Sequence, residues 1–193
     1  MHDLGCDFYT GNCHKWMLTP KGSAFLYARK DMQHLVEPLI VSGGWRGWED
    51  RTHFIEEQQY QGTRDVSAFL AVPVAIDFME RYDWHAVRAR CRELICYARE
   101  RIGAMTGLPP TCPDSPAWFS QINTIPLPKG DIRALGKMLH ERSIEIPLTG
   151  WEEDRYLRLS VQGYNSKADV DALIDAVQAW IEEKPAVIEQ VAT

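Results

Sequence analysis

The sequence predicts a mixed α/β protein, and three observations carry that expectation. Apolar residues recur at three- and four-residue steps from Trp84 to Met105 and again from Val170 to Trp180, the period of helices with one buried face. Short runs rich in branched and aromatic residues, such as Phe119–Ile125 and Tyr156–Val161, stand between helical stretches and have the character of strands. The segment Leu108–Pro116, dense in proline and polar residues, separates this alternating part from what precedes it. Strand-helix alternation of this kind indicates a small α/β or α+β sandwich domain.

In chain order, Cys6–Tyr9 is a short β-type run that breaks into Thr10-Gly11-Asn12. Ser23–Tyr27 follows Pro20 and Gly22 and has the form of a buried strand. Ser42–Trp48, with three glycines among two tryptophans and an arginine, is expected as a loop. Thr63 or Asp65 caps a helix to about Arg81, with Val66, Phe69, Leu70, Ile76 and Met79 inward and a kink expected at Pro73, which removes one hydrogen bond. Asp83 caps a longer helix that Gly107 and Pro109 close. Beyond the boundary the order is strand (Phe119–Ile125), helix (Asp131–Glu141), strand (Ser143–Ile146), strand (Tyr156–Val161) and helix (Lys167–Ile181), the last capped by Ser166. The tail Glu183–Thr193 is expected to fray. The organisation read from this is 1–82, a connecting helix 83–107, and a small C-terminal domain 108–193.

Bulk properties exclude several classes. The 193 residues are 45% hydrophobic and 25% charged, ordinary for a globular protein. A net charge of -6 and a pI near 5.5 argue against a nucleic-acid surface. The longest apolar run, Ala68–Ile76, is too short to span a bilayer. No basic region followed by an apolar run stands at the first residues given, so a secretory signal is not expected. Five cysteines, with no C-x-x-C, fit free thiols in a reducing cytoplasm rather than a disulfide framework or a zinc knuckle. The six histidines show no helical pairing, so no metal site is expected.

The segment that carries chemistry is Asp7-Phe8-Tyr9-Thr10-Gly11-Asn12-Cys13-His14-Lys15-Trp16, followed by Pro20-Lys21-Gly22. A lysine just past a strand, preceded by small and polar residues, has the form of one that condenses with an aldehyde. An amine attacks only when unprotonated, so burial or nearby positive charge has to favour the neutral form. On spacing alone an ordinary surface lysine is the better reading.

Three motifs change that weighing. DFYTGNCHKW with its following P-K-G, then Gly62-Thr63-Arg64-Asp65, then Arg158-Leu159-Ser160 with Tyr164-Asn165, together resemble the signatures of class V aminotransferases, in particular the isopenicillin N epimerase-like branch. The resemblance implies a partial large domain of the pyridoxal-phosphate transferase (type I aminotransferase) fold, followed by a small α/β (α+β) C-terminal domain. It implies pyridoxal 5'-phosphate as cofactor and an amino acid as substrate. Lys15 would form the Schiff base and move the α-proton, and His14 and Asn12 would lie near the cofactor phosphate. Gly62 and Thr63 would reach the neighbouring subunit's cofactor in a homodimer, where a helix N-terminus and a hydroxyl suit an anion. Arg158 would hold the substrate α-carboxylate, a task that suits a planar guanidinium. A structural arginine paired with Glu152, Glu153 or Asp154 is the alternative for that position.

The family's upstream elements have no counterpart in this chain: the glycine-rich phosphate loop, the group stacked on the pyridine ring and the aspartate on its nitrogen. The sequence therefore implies an incomplete site, and two functions stand side by side. One is α-carbon chemistry on an amino acid, of epimerase or aminotransferase type. The other is an inactive fragment serving as a dimerising or partner-binding module. Cysteine desulfuration is disfavoured, because Ser143–Arg155 contains no cysteine to act as nucleophile.

Overall fold

The computed structural model describes residues 2–46 and 53–183, divided between two units, Met1–Tyr82 and Asp83–Thr193. In the first unit, β1 (Phe8–Asn12) and β2 (Ala24–Ala28) pair as an antiparallel ribbon with Gly11 opposite Phe25. A Cβ on Gly11 would lie 2.7 Å from the Phe25 ring, which would have to swing aside for any other residue there. The break expected at Thr10 does not occur. Its backbone continues the ladder, and its hydroxyl donates to the Phe25 carbonyl at 2.8 Å. The expectation of a buried strand at Ser23–Tyr27 is also corrected: Ala24, Phe25 and Leu26 are exposed, and burial falls on Ser23 and Ala28 at the two ends.

Gly43–Arg46 forms a short 3-10 turn where a loop is expected, and it packs against α1 (His53–Gln59). A Cβ on Gly44 would collide with the Glu56 carbonyl, so the approach of turn to helix depends on that glycine. The other loop residues, Gly47 and Trp48, and the tail from residue 184 lie outside the described residues.

α2 (Ser67–Arg81) runs unbroken through Pro73, but its start and its facing depart from expectation. Neither Thr63 nor Asp65 is its N-cap, which falls on Val66 with no side-chain cap bond. Asp65 Oδ1 accepts from the Ser67 N–H at 2.8 Å and from its hydroxyl just ahead of the helix, and Thr63 lies three residues before the cap position. The inward face expected from Val66, Leu70 and Ile76 is exposed, and no residue of α2 is buried. Periodicity identifies a stripe that favours cover; it does not supply the cover.

The second unit follows the sequence more closely. Asp83 adopts the left-handed conformation that Asp tolerates and accepts from the Ala86 N–H at 3.3 Å, opening α3 (Trp84–Thr106). Gly107 closes it with φ 67° and an N–H bond to the Gly103 carbonyl at 2.8 Å. α4 (Ile132–Glu141) starts at Asp131, whose carboxylate accepts from Arg133 and Ala134 N–H groups. α5 (Lys167–Glu182) starts in a capping box in which Ser166 and Asp169 each satisfy the other's backbone N–H.

Three strands complete the unit in the order β3–β5–β4, all antiparallel: β3 (Ile122–Leu127), β4 (Leu148–Trp151) and the central β5 (Asp154–Ser160). The strand expected at Ser143–Ile146 is corrected to an extended segment, and the ladder begins at Leu148. Alternation sends Ile125, Leu127, Leu157 and Leu159 into a core shared with Ile95 and Ile102 of α3, Leu135 and Leu139 of α4, and Leu173, Ile174 and Val177 of α5. Each such side chain contributes roughly 1.5–3 kcal/mol by leaving water. No helix among the described residues is long and apolar enough to cross a membrane.

Candidate functional site

In the first unit the lysine motif forms a loop closed at its neck. The Cys13 N–H donates to the Ser23 carbonyl at 3.1 Å, and the Thr19 N–H donates to the Cys13 carbonyl at 3.3 Å. The Thr19 and Ser23 hydroxyls share a buried 2.8 Å hydrogen bond. Within the loop the Leu18 N–H reaches the Lys15 carbonyl at 3.3 Å, with Leu18 in the left-handed region at φ 62°. Three residues, Cys13, Thr19 and Ser23, fix the neck, and Lys15 stands in the loop they close.

Lys15 is exposed, and its ammonium group makes no hydrogen bond or ion pair among the described residues. The preceding His14 has a buried Nδ1 with no hydrogen-bond partner, a costly state for a ring nitrogen unless something else satisfies it. Asn12, at the end of β1, is exposed opposite Ala24. A partnerless primary amine, an orphaned imidazole nitrogen and a carboxamide within one four-residue stretch are groups that suit a ligand carrying both an aldehyde and a phosphate. The residues present fit pyridoxal phosphate on that test.

Elsewhere in the same unit, Gly62 has φ 88°, and Thr63 follows it as an exposed residue ahead of α2 rather than within a helix N-terminus. The helix-terminus argument for an anion at Thr63 is thereby corrected.

In the second unit Arg158 lies on β5 between buried Leu157 and Leu159, and it is exposed on the opposite face, as alternation predicts. Its backbone N–H donates to the Pro147 carbonyl at 3.0 Å. The structural alternative is not observed: Glu153 pairs with Lys129, Asp154 accepts from the Tyr156 hydroxyl, and the Glu152 carbonyl accepts from Arg155. The Arg158 guanidinium has no side-chain partner among the described residues.

Arg158 lines a cavity of about 350 Å³, together with Arg142, Glu145, Ser160, Asn165 and Asp169. Asn165 Oδ1 accepts from the Gln162 N–H at 2.9 Å and shapes the turn between β5 and α5. Asp169, held by the Ser166 backbone N–H and hydroxyl, stays below the usual carboxylate range. Arg142 is the residue that motif reading missed; no sequence signal sets it apart from other helix-terminal arginines. A larger cavity of about 720 Å³, with Arg92, Arg99 and Asp114 in its lining, contains none of the motif residues.

Comparison with known proteins gives the fold and then the family. A cysteine desulfurase from Thermococcus onnurineus NA1, in its apo form, superimposes with a TM-score of 0.77 at 18% identity, over 94% of this chain and 48% of that one. The cysteine desulfurase CsdA of Escherichia coli does so with a TM-score of 0.71 at 21% identity. The fold is thus that of the type I pyridoxal-phosphate transferases, represented over part of its length. The family model for aminotransferase class-V matches residues 1–173, and the chain belongs to that family, whose chemistry depends on pyridoxal phosphate. Isopenicillin N epimerase of Amycolatopsis lactamdurans is 34% identical over 187 residues, covering 91% of this chain and 47% of that protein. A probable chloroplastic L-cysteine desulfhydrase of Arabidopsis thaliana is 30% identical over 95% of this chain and 42% of its own. The chain spans about half the length of the curated relatives it matches.

Proposed function

We propose that this chain is part of a pyridoxal-phosphate enzyme working at the α-carbon of an amino acid, of epimerase or aminotransferase type. One observation carries the reading: the family's lysine stands beyond a pinned neck with its amine unengaged, next to an orphaned His14 nitrogen. When bound, the cofactor supplies an electron sink for the bond broken at the α-carbon. Lys15 Nζ would hold the cofactor through its aldehyde and would carry the proton taken from the α-carbon. His14 and Asn12 donate toward the phosphate. Gly62 and Thr63 approach the cofactor of a second copy in a homodimer. Arg158 receives the α-carboxylate through two parallel N–H donors, and its freedom from any protein carboxylate supports that role. The free thiols accord with a cytoplasmic protein.

Borohydride reduction of the chain with pyridoxal phosphate, followed by peptide mapping, tests the anchor. The label is expected on Lys15; a label on Lys21 or Lys30 instead sinks the assignment. A second reading, a non-catalytic binding module, draws on the exposed apolar stripe of α2. Protein that stays colourless and unlabelled after cofactor addition decides for it.

A further inference from the structure

Arg142 is built into the same cavity as Arg158. It ends α4, and the backbone then reverses: the Ser143 N–H reaches the His140 carbonyl at 3.0 Å and the Ile144 N–H reaches Leu139 at 2.8 Å. This is the Schellman pattern, with Ser143 at φ 58° where glycine is customary. The reversal sends residues 144–147 along β5, where Pro147 accepts from the Arg158 N–H. Ile144 and Ile146 pack against the core, which fixes this path. Arg142 and Arg158 are therefore held on one cavity by a bonded turn and a strand contact.

Neither guanidinium has a side-chain partner among the described residues, whereas Arg29 pairs with Asp7 and Arg92 with Asp114. A helix C-terminus favours a cation, which accounts for a basic residue at position 142 but not for its place in the lining. Of the acids around the cavity, Asp169 is committed to the α5 cap, and Glu145 is unpaired among the described residues. The uncommitted charges are two cations and one anion. The cations outnumber the anion and complement a ligand with two carboxylates, whose amino group is left for the cofactor.

We propose that this cavity selects an amino acid with a second carboxylate, the α-carboxylate on Arg158 and the distal one on Arg142. The inference rests on the Arg158 reading given above and adds the substrate class. A neutral side chain of the same size would desolvate Arg142 without replacing its water, so discrimination comes from that residue.

The test is titration of the ¹⁵N-labelled 193-residue chain with L-glutamate and with the nearly isosteric L-glutamine, followed at the amides of residues 142–147 and 158–166. Glutamate is expected to bind about tenfold tighter. Arg142→Gln should abolish the difference between glutamate and glutamine, whereas Arg158→Gln should weaken both. Equal binding of the two amino acids by the wild-type chain overturns the inference, and it leaves the Arg158 reading standing if Arg158→Gln still weakens both. If Arg158→Gln weakens neither, the underlying reading falls and the inference with it. Absence of any saturable shift at these amides also overturns it.

Discussion

The two units hold their side chains very differently. Beyond Asp83, apolar residues from three helices and from strands β3 and β5 meet in one buried cluster, with Leu148 of β4 packed against it. Before it, Cys13 and Ala28 are the buried apolar residues among those described, and the other buried side chains there are the polar Thr19, Ser23 and Glu56. Yet both units contain strands and helices of similar apolar content. The difference teaches that secondary structure and a stable core are separate achievements: the first needs local pattern, the second needs a facing layer. The lysine loop is held by hydrogen bonds at its neck, while Arg158 is held by the alternation of a strand whose other face is packed.

The largest expected effect is in hydrogen exchange. Amides of α3 near Ile95 and of α5 near Leu173 should exchange only through opening of the whole second unit. Those of β1 and β2 should exchange at least about a hundredfold faster. Uniform protection across the chain would erase the contrast. Substitution sharpens it further. Leu157→Ala, at a fully buried position, should cost about 2–5 kcal/mol in urea unfolding, while Leu70→Ala, 71% exposed, should stay within about 0.5 kcal/mol. Comparable losses at the two sites would show that α2 is covered in solution.

A smaller effect of opposite sign is expected at the Schellman turn. Ser143→Gly relieves a left-handed serine and should stabilise the second unit by about 0.5–1 kcal/mol, read from the same urea midpoint. A destabilised variant would mean that the serine hydroxyl contributes something its conformation costs. The smallest effect is a pH dependence of the α5 start. Asp169, lowered by the Ser166 backbone, and Asp171, lowered by Lys167 and then Tyr97, bind protons less readily folded than unfolded. Their contribution is present above the unfolded carboxylate value and is lost as pH falls below about 4. Asp169→Asn should flatten part of that acid slope in thermal melts followed by circular dichroism. An unchanged slope removes the cap from the account.

How much of this was legible in the sequence follows the same division. The α3 and α5 stripes were readable because their caps, Asp83, Gly107 and Ser166, coincide with the ends of the apolar period. The outward facing of Arg158 was readable from Leu157 and Leu159 alone. Ser143–Ile146 misled because Ile144 and Ile146 alternate like a strand and do face the core, yet the β4 ladder starts only at Leu148, through Thr149 and Gly150, which carry no pattern. The α2 stripe misled in the opposite way, as a real helix whose face is exposed. In the site, the Lys15 and Arg158 motifs were legible as strings. Arg142 was not, because its position beside Arg158 depends on a turn in which serine occupies the glycine place.

The burial of two thiols has a practical consequence for the protein's redox chemistry. Cys13, 3% exposed, sits at the neck of the lysine loop, and Cys91, fully buried, sits in the second unit's core, where burial pushes its thiol up. Each unit thus contains one sulfur that an alkylating or oxidising reagent reaches only when that unit opens. Oxidation at Cys13 would add bulk and polarity where the neck is closed by the Ser23 carbonyl, and so would disturb the loop that bears Lys15 while leaving the second unit's packing alone.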